Sequence, residues 1–310
     1  MNLTRYFLLA ASAVPILAQN TNDTYDECRP IIKDVAEGDI RFNSTGSTSF
    51  EFTGQKDPWY LSMATFFHLA RNTSEVRDVS STGERAVFLS VPQSLVGSTR
   101  GNNTEVCYYQ MDPVNATSND TTSCNGVLSD KCQEALRRTG GPSNGRCSSV
   151  DIEEDCGNPM RLWTCMFLQI ILLSRLSRRC QDTDQTTLAT PFNFPSSNCS
   201  VDELPGVKLP KGYRTFNIMS EGHTLPRQED DFLDAYDLMV RQPLPMVLAA
   251  KIPGQNMIAV EVACMAPDNI TANSRVPDGE FPPSGAGDLR VRTTFMFAMA
   301  VACIVGVMLL

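Results

Sequence analysis

Thr104-Glu-Val-Cys-Tyr-Tyr-Gln-Met111 reads as a β-strand, and that reading sets the fold class. A valine, a cysteine and two adjacent tyrosines suit a pleated, half-buried surface. Working outward, Arg85-Ala-Val-Phe-Leu-Ser-Val91 has the same character, and Phe50 and Phe52 alternate in an earlier candidate strand. Three more strand-like runs lie toward the C-terminus: Tyr213-Arg-Thr-Phe-Asn-Ile-Met219, Met246-Val-Leu-Ala-Ala-Lys-Ile252 and Met257-Ile-Ala-Val-Glu-Val-Ala263.

Helical patterns fall between these runs. Asp57-Pro58 offers an N-cap followed by proline at the first helical position. Trp59, Met63, Phe66, Phe67 and Ala70 then recur at helical spacing, which predicts one apolar stripe with His68 on the opposite, solvent side. Asp130, with Gln133 three residues on, makes a capping box for a short helix from Lys131 to Arg138. The run Leu162–Leu173 carries no charge and is too short to span a bilayer, so it predicts a buried helix. Asp112–Ser123 and Gln181–Ser200 read as polar loops. Strands toward both ends with helices between predict α+β: a disulfide-rich extracellular ectodomain with antiparallel strands and a few short helices.

The strand that opens the argument carries Cys107, one of eleven cysteines. Cys303 lies in the apolar C-terminal run. The other ten are Cys28, Cys107, Cys124, Cys132, Cys147, Cys156, Cys165, Cys180, Cys199 and Cys264. An even number in a secreted chain implies up to five disulfides, whose pairing the sequence leaves open. No C-x-x-C occurs, so neither a zinc knuckle nor a thioredoxin-type redox pair is indicated.

The two ends place the chain in the secretory pathway. Arg5, the apolar run Tyr6–Ala13 and Ile16-Leu17-Ala18 make a signal peptide over residues 1–18, cut before Gln19. At the other end the chain stops inside Phe295–Leu310, which holds no charge. Before it come a polar spacer, Gly287–Thr294, and three small residues, Ser284-Gly285-Ala286. Small triplet, spacer and apolar tail are the parts of a GPI-attachment signal, with the lipid on Ser284 and residues 285–310 as the discarded propeptide. The alternative is a single-pass anchor, which Thr293–Leu310 is barely long enough to form and which lacks a basic stop-transfer flank. Residues 19–275 are then the ectodomain, with a possible subdomain split near 112–150, and 276–284 a Pro-rich stalk.

Asn-x-Ser/Thr triplets stand at Asn22, Asn43, Asn72, Asn102, Asn115, Asn119, Asn198 and Asn269. A glycan stays in solvent, so each used site marks an exposed position. The formal net charge of −9 disfavours nucleic acid and anionic lipid headgroups. The expected attachment to the membrane is through the glycolipid, and the expected partners are cell-wall polysaccharide or other surface proteins.

Chemical motifs are sparse. His68 and His223 are the two histidines, and neither belongs to a nucleophile motif or to H-E-x-x-H. Asp151, Glu153, Glu154 and Asp155 form one acidic cluster, and Glu229, Asp230, Asp231, Asp234 and Asp237 form another. Neither matches a calcium loop, and the second suits the first turns of a helix carrying Phe232, Leu233 and Tyr236. The reading assigns no catalytic, cofactor or metal residue.

Val106-Cys-Tyr-Tyr-Gln-Met111, Ser123-Cys-Asn-Gly-Val-Leu-Ser-Asp-Lys-Cys132 and Val262-Ala-Cys-Met-Ala-Pro-Asp268 together resemble uncharacterised secreted or GPI-anchored surface glycoproteins of filamentous ascomycete fungi. The resemblance implies no active-site residue, and the compact eight-cysteine arrangement of fungal haem-binding surface proteins is not matched. The expected role is non-enzymatic, in surface or wall organisation or in ligand contact. The alternative is an extracellular glycoside hydrolase working through two carboxylates.

Overall fold

Two five-stranded antiparallel sheets pack face to face, and their facing sides form the main core. The computed structural model describes residues 28–52, 55–67, 82–111, 113, 124–148, 152–156, 163–164, 181–182, 191–195, 199–224 and 229–278. The strands are β1 (Ser44–Phe50), β2 (Trp59–Phe67), β3 (Thr82–Pro92), β4 (Glu105–Gln110), β5 (Pro142–Ser143), β6 (Arg146–Cys147), β7 (Trp163–Thr164), β8 (Gln181–Asp182), β9 (Tyr213–Thr224), β10 (Leu244–Lys251), β11 (Ala259–Met265) and β12 (Asn269–Ile270). The helices are α1 (Pro30–Glu37), α2 (Thr99–Asn102), α3 (Asp130–Arg137), α4 (Glu153–Cys156) and α5 (Glu229–Arg241). The first sheet runs β12-β1-β2-β3-β9 and the second β11-β10-β4-β7-β8. The chain is therefore α+β with antiparallel sheets and short helices.

Alternation along the strands builds the core. Trp59, Leu61 and Met63 of β2 and Val87, Leu89 and Val91 of β3 meet Leu244, Met246 and Leu248 of β10. Phe194 joins them, edge-on to Trp59 with ring centroids 5.3 Å apart. The outer face of the first sheet is covered at Ala64, Ala86 and Phe88 by Ile31, Ile32 and Val35 of α1. The outer face of the second is covered around Val247 and Ala249 by Leu136 of α3 and by cysteines. A third contact, Phe67 on Tyr236, seats α5.

Among the described residues four disulfides are formed: Cys28–Cys199, Cys107–Cys147, Cys124–Cys264 and Cys132–Cys156. Cys165 and Cys180 lie outside the described residues. Cys124–Cys264 ties the segment after β4 to β11, and Cys132–Cys156 joins α3 to α4.

Several sequence expectations are corrected. The helix expected from Asp57-Pro58 is strand β2, because both of its faces are covered and its apolar residues fit a two-residue period as well as a helical one. Trp163–Thr164, expected inside a buried helix, pair with β4 and β8 as strand β7; the rest of Leu162–Leu173 lies outside the described residues. The α3 cap is Ser129, whose Oγ accepts the Cys132 N–H at 3.2 Å, one residue before the expected Asp130. Gln133 does not close a capping box; its amide donates to the Cys124 and Leu128 carbonyls. His223 lies in β9 opposite Gly83, while His68 is outside the described residues. Phe192 and Phe194, in an expected polar loop, pack into the core, and Phe192 bridges to Val106.

Candidate functional site

The outer face of β1 is built from small hydroxyl residues. In Ser44-Thr-Gly-Ser-Thr-Ser-Phe50 the odd-numbered positions Thr45, Ser47 and Ser49 point away from the core. Helix α1 covers the sheet over β2 and β3, so Ser47 and Ser49 stay exposed. They form the floor of a groove of about 530 Å³.

A pinned turn makes one wall. Leu204 is buried under the first sheet, and Val207 N–H donates to its carbonyl at 3.0 Å. Between them Gly206 takes a left-handed conformation (φ 79°), and its carbonyl accepts from Thr45 Oγ1 at 3.0 Å. A side chain there would also crowd Thr45 Cγ2, 3.1 Å from an added Cβ. The turn delivers Val207 and the exposed Lys208 to the groove.

The other wall is the segment from β11 to β12. Ala266 lies so close to β1 that a Cβ on Gly46 would stand 2.4 Å from its carbonyl oxygen. Asp268 and Asn269 follow, both exposed. Asn269 Nδ2 donates to Thr45 Oγ1 on the floor and to the Gly206 carbonyl on the opposite wall, each at 3.1 Å. Tyr60, opposite Ser49 in register, also lines the groove. Its ring is held edge-on by Tyr213, centroids 5.2 Å apart, and the Tyr213 hydroxyl donates to the Pro58 carbonyl at 2.9 Å.

The groove thus offers hydroxyls at two-residue strand spacing, about 6.6 Å, an aromatic ring, one ammonium and one carboxylate. Lys208 and Asp268 have no ion-pair partner among the described residues, so both are free to meet a ligand. Hydroxyls donate and accept alike, which suits a neutral ligand rich in hydroxyl groups, and an aromatic ring suits the apolar face of a pyranose. Paired-carboxylate hydrolysis needs a second acid, and Asp268 is the one acid among the lining residues.

One described member of each acidic cluster expected from sequence, Asp155 and Asp237, is engaged away from the groove. Asp155 pairs with Lys131 at 2.9 Å. Asp237 is buried, takes both Nε and Nη2 of Arg275 at 3.1 Å, and accepts the Asp278 N–H at 2.9 Å. Asp151 is outside the described residues. The remaining acids of the second cluster stand on the backbone of α5, as expected.

Of the sequons, Asn102 and Asn269 are exposed. Asn43 departs from the expectation: its side chain is wholly buried, and its Oδ1 accepts the Phe67 N–H. The folded chain thus offers no exposed position for a glycan at Asn43. Asn22, Asn72, Asn115, Asn119 and Asn198 lie outside the described residues, as do the signal peptide, Ser284 and the C-terminal tail. The groove residues Thr45, Ser47, Ser49, Tyr60, Lys208 and Asp268 escaped sequence reasoning, although alternating hydroxyls in Ser44–Ser49 were a visible signal. Comparison with protein-family models, curated proteins and solved structures returns no match for this chain.

Proposed function

We propose that this chain is a cell-surface binding protein whose β1 groove holds a neutral, hydroxyl-rich polymer such as a cell-wall polysaccharide. The observation that carries the reading is the groove itself: a hydroxyl floor, the braced ring of Tyr60, and a single carboxylate. In this reading the signal peptide is removed, Ser284 carries a GPI lipid, and the disulfide-bonded, N-glycosylated ectodomain is displayed at the outer face of the plasma membrane. The stalk begins close to the body, since Arg275 and Asp278 are both held by Asp237 of α5.

The test scores retention and turnover together, with the purified mature protein free of sugar at Asn269, on insoluble β-glucan, chitin and mannan. Retention without released sugar is the expected result, lost in Tyr60→Ala. Turnover abolished by Asp268→Asn would replace the binding reading with hydrolysis.

A further inference from the structure

Strands β1 and β12 carry a relationship between two sequons. Asn43-Ser44-Thr45 and Asn269-Ile270-Thr271 run antiparallel as hydrogen-bonded neighbours, with Ser44 opposite Ile270 and Thr45 opposite Asn269. Each triplet is tied by the other. Asn269 Nδ2 donates to Thr45 Oγ1, and the Thr271 N–H donates to the Asn43 carbonyl at 3.0 Å. The Thr271 hydroxyl bonds to the Phe42 and Asn43 carbonyls. One of the two asparagines is buried and the other is on the groove wall.

From this arrangement we infer that an N-glycan on Asn269 is the groove's built-in occupant, and that glycosylation there decides whether the groove is open. A free asparagine amide has two N–H donors; an amide joined to a sugar keeps one. Nδ2 of Asn269 lies 3.1 Å from both Thr45 Oγ1 and the Gly206 carbonyl, which are themselves 3.0 Å apart, so the amide sits where floor and wall meet. The first sugar is therefore joined where floor and wall meet, at an atom beside Thr45 and Gly206, and both residues line the groove. From Thr45 to Ser49 the floor runs about 13 Å at strand rise, and Ser49 stands opposite Tyr60. The attached glycan thus starts on the hydroxyl floor and runs toward the aromatic ring, covering the surface assigned above to polysaccharide.

The state is set before folding ends. In the folded chain the Thr271 hydroxyl is occupied by backbone carbonyls of the neighbouring strand segment. The triplet is therefore available to the glycosylating enzyme only before β12 docks on β1. Each molecule leaves folding with its groove open or filled. This gate rests on the binding function proposed above, whereas the seat of the glycan does not.

The experiment uses the full-length protein made in a glycosylating host. Site occupancy is mapped by mass spectrometry, and native release by peptide N-glycosidase is timed at Asn269 and at the other occupied sequons. Slower release at Asn269, accelerated in Tyr60→Ala, is expected. The same polysaccharide panel then compares the occupied glycoform with Asn269→Gln: the occupied form should show loss of retention and the variant its recovery. An unoccupied Asn269, or a glycan released as fast there as elsewhere, overturns the inference. Slow release with no retention of Asn269→Gln on any polysaccharide sinks the ligand assignment and the gate, and upholds the glycan's seat.

Discussion

Asn43 and Arg85 show how side chains marked polar in the sequence become structural in the fold. Asn43 Oδ1 accepts a buried backbone N–H, that of Phe67. Removing an acceptor from a buried donor costs about 1–3 kcal/mol. Asn43→Ala is expected to lower stability by that amount in denaturant melts, and peptide mapping of protein made in a glycosylating host should find Asn43 without sugar. Arg85 is buried between the sheets, opposite Thr65 on one side and Glu221 on the other. Its Nη2 donates to the Met239 carbonyl in the last turn of α5 at 3.1 Å, where a cation complements the helix dipole. Glu221 in turn accepts from Gln110 of the second sheet at 3.0 Å. Arg85→Met removes the bond to the Met239 carbonyl and the charge that faces Glu221, and a loss of about 1–3 kcal/mol is expected. Arg85→Met with Glu221→Gln should recover part of it, which thermal unfolding of the three variants checks.

Among the elements, strand β2 shows where sequence legibility ended. Trp59, Met63, Phe66 and Phe67 satisfy a helical period, yet Trp59, Leu61, Met63, Thr65 and Phe67 satisfy a period of two. The choice is made by what covers each face: the opposite sheet on one side and α1 on the other. That is a tertiary fact, invisible in a local pattern. The strands β3, β4, β9, β10 and β11 were legible because β-branched and aromatic residues alternate there, and helix α5 because its acids precede its apolar face. The groove was not legible, because it takes residues from β1, β2, the turn at Gly206 and the start of β12, which only the sheet order brings together. The disulfides divide in the same way. The even count allowed up to five; the fold pairs eight of the ten cysteines. Four pairs leave Cys165 and Cys180, which directly follow β7 and directly precede β8, strands paired in the register Trp163↔Asp182 and Thr164↔Gln181. Non-reducing peptide mapping should therefore recover Cys165 linked to Cys180, with thiol titration of the mature protein near zero. Edge strand β11 carries a pH signature. Burial raises the Glu261 carboxyl above its ordinary range, opposed by the charge of Arg137. A raised value means that the folded state prefers the protonated acid, so stability is lost as pH rises through that value. Glu261→Gln should raise the melting temperature near neutral pH and give no gain below about pH 4.

At the scale of the whole molecule, the sandwich separates stability from contact. Its interior holds the aromatic core and the Arg85–Glu221 level between the sheets. Its outer faces are covered by α1 on one sheet and by the disulfide-linked α3 and α4 on the other. The β1 side of the first sheet stays bare, and the groove lies there. The C-terminal segment is fastened elsewhere, with the Arg275 guanidinium on Asp237 and its carbonyl accepting the Tyr236 hydroxyl at 2.9 Å. A tether leaving from this clamp starts on α5, and α5 contributes nothing to the groove lining. The central claim is that the β1 groove is where a neutral sugar polymer is held. It is tested most directly by filling the floor: Ser47 is exposed, so Ser47→Phe adds a ring to the groove without entering the core. Both proteins are prepared with Asn269→Gln, and calorimetric titration with soluble β-glucan, chitin and mannan oligosaccharides compares them. Binding of at least one oligosaccharide by the Ser47 protein and none by Ser47→Phe, at an unchanged melting temperature, is expected; equal binding by the two would rule the groove out as the sugar site.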